Sequence, residues 1–122
     1  MINLDYQSRT PIYLQIVQEI ERYVVLDILK HDMQIPSIRE LASTLGINPN
    51  TVKKAYDELE SDGFVITVHG KGTYVNGNNS EYIKESRLKE VEEEIRTAFE
   101  KAENYGISKE QLREIFEMFF EE

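Results

Sequence analysis

The side chains most capable of chemistry gather in one stretch of this chain. Asn48, Pro49, Asn50, Thr51, Lys53 and Lys54 follow almost without interruption, Ser37 and Arg39 come shortly before them, and His69, Gly70 and Lys71 occupy a glycine-rich turn shortly after. Amides, hydroxyls and cations of this kind bind rather than react. An asparagine amide donates and accepts at once, as the major-groove edge of adenine requires, so Asn50 is the foremost candidate for reading a base. Lys53, Lys54 and Lys71 supply charge for phosphate, and Arg39 has the reach for a backbone oxygen or the edge of a guanine. His69 could probe a minor groove, with Gly70 allowing close approach to sugar and phosphate. The plainer alternatives are a glycine hairpin with no partner at 69–72 and a solvated helix surface at Lys53 and Lys54.

Catalysis finds no footing in the inventory. His31 and His69 are the only histidines, neither belongs to a His-Glu-x-x-His arrangement, and there is no Gly-x-Ser-x-Gly elbow. Gly70-Lys71-Gly72-Thr73 superficially has the look of a phosphate loop. However, Val65 stands where its first glycine must be, and Gly72 follows the lysine instead of Ser or Thr. Having no cysteine removes disulfides, thiolate zinc sites, iron–sulfur clusters and thiol nucleophiles together. Glu92, Glu93 and Glu94 are consecutive, so on a helix their carboxylates diverge and cannot converge on one ion. The expectation is no enzyme, no catalytic residue, no metal and no cofactor.

With 122 residues, 40% hydrophobic and 30% charged, the chain is long enough for a small domain and an appendage, with a core that needs no staples. Met1 to Asp5 lacks a signal-peptide layout and no apolar run reaches membrane-spanning length, which points to a cytoplasmic protein without a membrane partner. A net charge of −9 argues at first against a polyanion. Placement changes that. Thirteen of the acids and seven of the bases fall in 81–122, leaving ten and seven in 1–80, so the acidity is concentrated in the tail.

The periodicity of the apolar residues supplies elements to position these groups. Thr10-Pro11 offers an N-cap and a first-turn proline for a helix whose Tyr13, Ile16, Val17, Ile20, Tyr23 and Val24 form one stripe as far as Val25 or Leu26. Asp27 to Ile35 loses the period and reads as a connector, stopped by Pro36. Ser37-Ile38-Arg39-Glu40 is a capping box, with Leu41, Ala42 and Leu45 on the inner face and Gly46 as the stop. Asn48-Pro49 opens the next helix, whose Val52, Ala55, Tyr56 and Leu59 face inward until Ser61-Asp62-Gly63. Tyr56 reads as core, not ligand. Phe64 to Val68 and Thr73 to Val75 flank the turn as a hairpin.

Helix, short helix, tight turn, longer helix and hairpin make the plan of a winged helix-turn-helix, in which the second of the two closely spaced helices enters a major groove. The turn formers Asn76 to Ser80 set the divisions: a head over 1–76, a linker over 77–80 and a tail over 81–122. In the tail, Leu88, Val91, Ile95, Ala98, Ala102 and Tyr105 repeat at three- and four-residue steps, the seam of a helix that packs along another. Gly106 ends it, Ser108 to Gln111 is a second capping box, and a last helix carries Leu112, Ile115, Phe116, Phe119 and Phe120. The expected fold is therefore mainly α with a small β-hairpin, a winged helix-turn-helix followed by a two-helix dimerisation segment. Leu88, Val91, Ile95, Phe99, Leu112, Ile115, Phe116 and Phe119 would form the dimer interface. A small-molecule pocket is the alternative for Phe116, Met118, Phe119 and Phe120.

As an ordered set, Pro36-Ser37-Ile38-Arg39-Glu40-Leu41-Ala42, Leu45-Gly46-Ile47, Thr51-Val52, Ala55-Tyr56, Gly63 and Gly70-Lys71-Gly72-Thr73-Tyr74-Val75 resemble the N-terminal domain of the gluconate-repressor-like (GntR) transcription regulators. The short tail and Asn48-Pro49-Asn50-Thr51-Val52 look most like the YtrA subfamily, whose members carry two C-terminal helices for dimerisation in place of a large effector domain. The resemblance implies DNA contacts from Arg39, from Asn48 to Thr51 and Lys53, and from His69 and Gly70. It also implies a homodimer on a pseudo-palindromic duplex operator, repressing a transporter-type operon and its own promoter; no effector is evident. Two features depart from the pattern. Pro49 stands where many relatives have arginine, removing a phosphate or base contact, and Asp27 and Asp32 stand where others have glycine. Aspartate tolerates the left-handed region better than most residues, so the fold survives with a reshaped connector. The competing reading is a winged helix used only for protein contacts, because residues 37–75 hold four cations and five acids. DNA is preferred because the cations of the second helix lie in its front half and the acids Asp57 to Asp62 behind them.

Overall fold

The computed structural model describes residues 2–77 and 80–122. In chain order the elements are α1 (Ile12–Val25), β1 (Gln34–Ile35), α2 (Ile38–Leu45), α3 (Pro49–Ser61), β2 (Val65–Val68), β3 (Gly72–Val75), α4 (Ser80–Asn104) and α5 (Lys109–Phe120). Residues 78–79 of the expected linker lie outside the described residues.

The capping signals hold for α2 and α3. Ser37 Oγ accepts from the Glu40 amide while the Glu40 carboxylate accepts from the Ser37 amide, and Gly46 closes α2 at a φ of 67°. Asn48 caps α3, with Pro49 at its first position. The start of α1 differs. Pro11 is the cap residue and no side chain caps the helix, so Thr10 does not play that part. Gln15 takes over the local polar groups instead. Its Nε2 donates to the carbonyls of Thr10 and Asp5, both at 2.9 Å, and its Oε1 accepts from the Asp5 amide at 2.8 Å. The unpatterned N-terminal residues are thereby folded back along the helix, and Ile2 and Leu4 pack on the core.

The sheet has three antiparallel strands in the order β1-β3-β2, one more than the hairpin read from the sequence. Gln34 faces Tyr74 and Ile35 faces Thr73, and β2 pairs with β3 from Val65↔Val75 to Val68↔Gly72. β1 is two residues long, too short to display an alternating pattern, and the bonds Val75 N–H to Met33 O (2.8 Å) and Asp32 N–H to Val75 O (3.0 Å) prolong its ladder. The connector reaches this position through Asp27 and Asp32, which adopt the left-handed conformation at φ 57° and 67°.

The contacts divide the chain into two units, Met1–Lys84 and Glu85–Glu122. The division falls within α4. The beginning of α4 belongs to the first unit because Ile83 is buried in that unit's core and Lys84 Nζ approaches Asp27 Oδ2 at 3.7 Å. Asn76 and Gly77 are tied down as well, through Asn76 Nδ2 to Gly63 O at 3.1 Å and Gly77 N–H to His31 Nδ1 at 2.9 Å. Ile16, Val24, Val52, Leu59, Phe64, Val65 and Val75 are the largest of the fully buried side chains of this unit. Each contributes about 1.5–3 kcal/mol by leaving water.

The second unit contains the rest of α4 and all of α5, which Ser108 and Gln111 open with a reciprocal capping box. Gly106 turns the chain between them at a φ of 68°. Phe99 stacks on Phe116 with ring centroids 5.7 Å apart, and Ala102 is buried beside the turn.

Candidate nucleic-acid interface

The eleven head residues singled out in the sequence fall on three features of the first unit: the N-terminal turn of α2, the front half of α3 with its cap, and the turn between β2 and β3. All are exposed except Thr51, which is half-buried. Each feature is fixed from beneath. Val52, Ala55, Tyr56 and Leu59 are buried along α3, which leaves Asn50, Lys53 and Lys54 on its outer side.

Local hydrogen bonding separates the candidates into those already engaged and those free. Ser37 and Asn48 serve their helices as caps, Ser37 Oγ accepting from Glu40 N–H at 3.1 Å and Asn48 Oδ1 from Asn50 N–H at 2.8 Å. Arg39 is exposed in the first turn of α2 and forms no ion pair among the described residues. The Asn50 side chain likewise has no protein partner among them. Both project near helix N-termini, where unpaired amides give a partial positive charge suited to phosphate.

The two lysines behave differently from each other. Lys53 Nζ lies 2.7 Å from Asp57 Oδ2, so the first of the rear acids reaches forward and partly neutralises a front cation. Both side chains are about three-fifths exposed, and such a pair is worth only about 0.3–0.5 kcal/mol, little enough for a phosphate to replace it. Lys54 Nζ stands 4.0 Å from the centre of the Tyr13 ring on α1, a cation–π contact that directs it along the α1 side of the helix.

Between β2 and β3 the chain reverses through Val68 to Lys71, closed by the bond Lys71 N–H to Val68 O at 2.9 Å, with Gly70 at φ 76°. Positive φ at that position is the reason for glycine there. His69, Gly70 and Lys71 are exposed at the tip. Two further side chains brace this region and were not read from the sequence. Thr67 Oγ1 donates to Glu60 Oε2 at 2.8 Å, joining the wing to the end of α3, and Gln34 Nε2 donates to the Lys71 carbonyl at 3.2 Å. Neither shows in a one-dimensional pattern, because each partner lies on a different element.

Tyr56 is core, as its spacing indicates, and its hydroxyl donates to the Pro36 carbonyl at 2.7 Å. Burial first, and the nearby Glu40 carboxylate second, push the phenol well above its ordinary range. The group therefore stays a neutral donor, pinning α3 to the residue before the α2 cap.

In the tail, Leu88, Val91, Ile95, Phe99, Ile115 and Phe119 are exposed, whereas Leu112 and Phe116 are half-buried within the unit. Phe116 meets Phe99 of its own chain.

Residues 12–75, more than half of the chain, match the profile described as "Bacterial regulatory proteins, gntR family". The chain belongs to the GntR family. It is 39% identical over 114 residues to the "HTH-type transcriptional repressor YtrA" of Bacillus subtilis (strain 168), a match spanning 93% of this chain and 88% of that one. Among solved structures, a transcriptional regulator from Oenococcus oeni superposes with a TM-score of 0.78 at 32% identity, covering 98% of this chain and 99% of its own. The structure of AraR(DBD) in complex with operator ORR3 matches 60% of this chain and 88% of its own, at 32% identity and a TM-score of 0.53. The GntR protein described here is thus a transcription regulator with a winged-helix DNA-binding domain, and its relatives are regulators, not enzymes. Among its described residues no helix is long and apolar enough to cross a membrane.

Proposed function

We propose that this GntR protein works in the cytoplasm as a homodimeric repressor, binding a pseudo-palindromic operator at a transporter-type operon and at its own promoter. Residues 1–76 read the duplex and 81–122 pair the two chains. The observation that carries the DNA reading is the pairing of two free, exposed polar groups, Arg39 and Asn50, with the first turns of two closely packed capped helices. In this reading Asn50 addresses a base edge, Arg39 a guanine or the backbone, and the Asn48–Thr51 turn with Lys53 and Lys54 holds phosphates. His69, Gly70 and Lys71 follow the adjacent minor groove. Pro49 contributes helix geometry in place of an arginine's charge.

Dimerisation is supported by the exposure of Leu88 (68%), Val91 (51%) and Ile95 (40%) on one stripe of α4. Apolar side chains in a row of this kind mark a surface meant to be covered. Recognition helices of two heads would then lie about 34 Å apart, or a multiple of it, to meet successive major grooves on one face.

Fluorescence anisotropy of the purified protein on the duplex upstream of its own gene, against a scrambled duplex at three salt concentrations, tests the reading. Selective, salt-sensitive binding is expected, with a shallow salt slope because each head offers few cations. Equal and feeble binding to both duplexes would sink the autoregulatory proposal, and a slope near −10 would contradict the small phosphate count.

A further inference from the structure

We propose that Gln34 is the positioning residue of the wing: from β1 its amide holds the Lys71 carbonyl and thereby sets His69, Gly70 and Lys71 in the geometry that meets DNA. The role rests on the DNA-binding reading above, and it assigns a recognition function to a residue outside every motif read from the sequence.

Several observations converge on this side chain. The ladder between β2 and β3 ends at Val68↔Gly72, and the Lys71 amide is spent on Val68, so the Lys71 carbonyl lies beyond the last strand pair. Gln34 Nε2 reaches it at 3.2 Å from the neighbouring strand, where Gln34 itself is paired with Tyr74. Gly72 clears the path. A Cβ at position 72 would stand 2.5 Å from Gln34 Nε2, and its φ of 134° already disfavours any other residue. The glycine thus makes room for the amide as well as for the bend. Gln34 is exposed, so its side chain does not fill the core, and what it touches is the wing.

The physical need is clear from the turn itself. A loop with glycines at 70 and 72 samples many backbone conformations, and ordering it on a duplex costs binding free energy. A side-chain bond from a fixed strand removes part of that cost before DNA arrives. A single exposed bond of this type changes an equilibrium by about two- to ten-fold.

The test uses the full chain with Gln34→Met, which keeps length and removes the donor, alone and in a Lys71→Ala, His69→Ala background. In the free protein, amide order parameters for His69 to Gly72 should fall in Gln34→Met while the melting midpoint stays unchanged. On the duplex upstream of its own gene, Gln34→Met should weaken binding about three- to ten-fold, and this loss should vanish when Lys71 and His69 are already alanine. Unchanged order parameters, or an equal loss in both backgrounds, would overturn the proposal. Failure of the unaltered protein to bind any duplex defeats the DNA reading and this role with it, and the order parameters report on the clamp without DNA.

Discussion

The head and the tail of this protein solve the hydrophobic problem in opposite ways. The head surrounds its apolar side chains with α1, α2, α3 and a three-stranded sheet, so that Ile16, Val52, Leu59 and Val75 have no exposed surface at all. The tail has two helices, and among its described residues only Ala102 is buried. Length explains the difference. The twelve residues of α5 extend about 18 Å, while α4 from Glu85 onward extends about 30 Å. α5 meets the stripe at Phe99, and Leu88, Val91 and Ile95 remain exposed. A head of this kind is self-sufficient, whereas the tail leaves an apolar stripe that the partner chain would cover in the proposed homodimer.

The largest effect should come from breaking the tail. Val91→Asp with Ile95→Asp should halve the mass seen by light scattering and weaken operator binding about 1,000- to 10,000-fold, because the second head loses its effective concentration. The melting of the head should not change, and an unchanged dimer mass would refute the interface. Next in size is a cavity in the head: Leu59→Ala should cost about 3–5 kcal/mol in chemical denaturation. Phe120→Ala, at a site 84% exposed, should by itself stay within about 0.5 kcal/mol. Comparable losses at the two positions would erase the contrast between the units. Arg39→Ala and Asn50→Ala should each weaken operator binding by about 1–3 kcal/mol while leaving mass and melting alone. Lys53→Ala should show mainly as a salt slope shallower by about one. The smallest expected effect compares the two capping boxes. Ser37→Ala should lower head stability by about 1 kcal/mol, whereas Ser108→Ala should register only in the dimer's dissociation.

Much of this arrangement was legible because local signals agreed with tertiary ones. The boxes at Ser37 and Ser108, the cap at Asn48, and the stops at Gly46 and Gly106 each involve atoms within a few residues, so sequence order is spatial order there. The left-handed aspartates were legible only through the resemblance, which sets Asp27 and Asp32 where other members have glycine. What escaped depends on distance along the chain. β1 exists only because β3 lies beside it, the Gln15 bonds depend on how residues 2–9 fold back, and Gln34 matters because of a turn far downstream. The pairing of Lys53 with Asp57 was within reach at four-residue spacing, but reading the helix as a cationic front and an acidic rear obscured it.

The strand order also dictates how the head assembles. Gln34 and Tyr74 are forty residues apart, so the chain between them must be gathered before β1 can add to the sheet. Loop closure over that distance is entropically expensive, and nothing repays it until α2 and α3 have collapsed on α1. The helices, with their self-contained caps, form early, and the β1–β3 pairing comes late. In refolding experiments the amides that join β1 to β3, those of Asp32 and Val75 among them, should acquire protection last, and while they wait the open edge of β3 is the part of the nascent chain most exposed to mispairing.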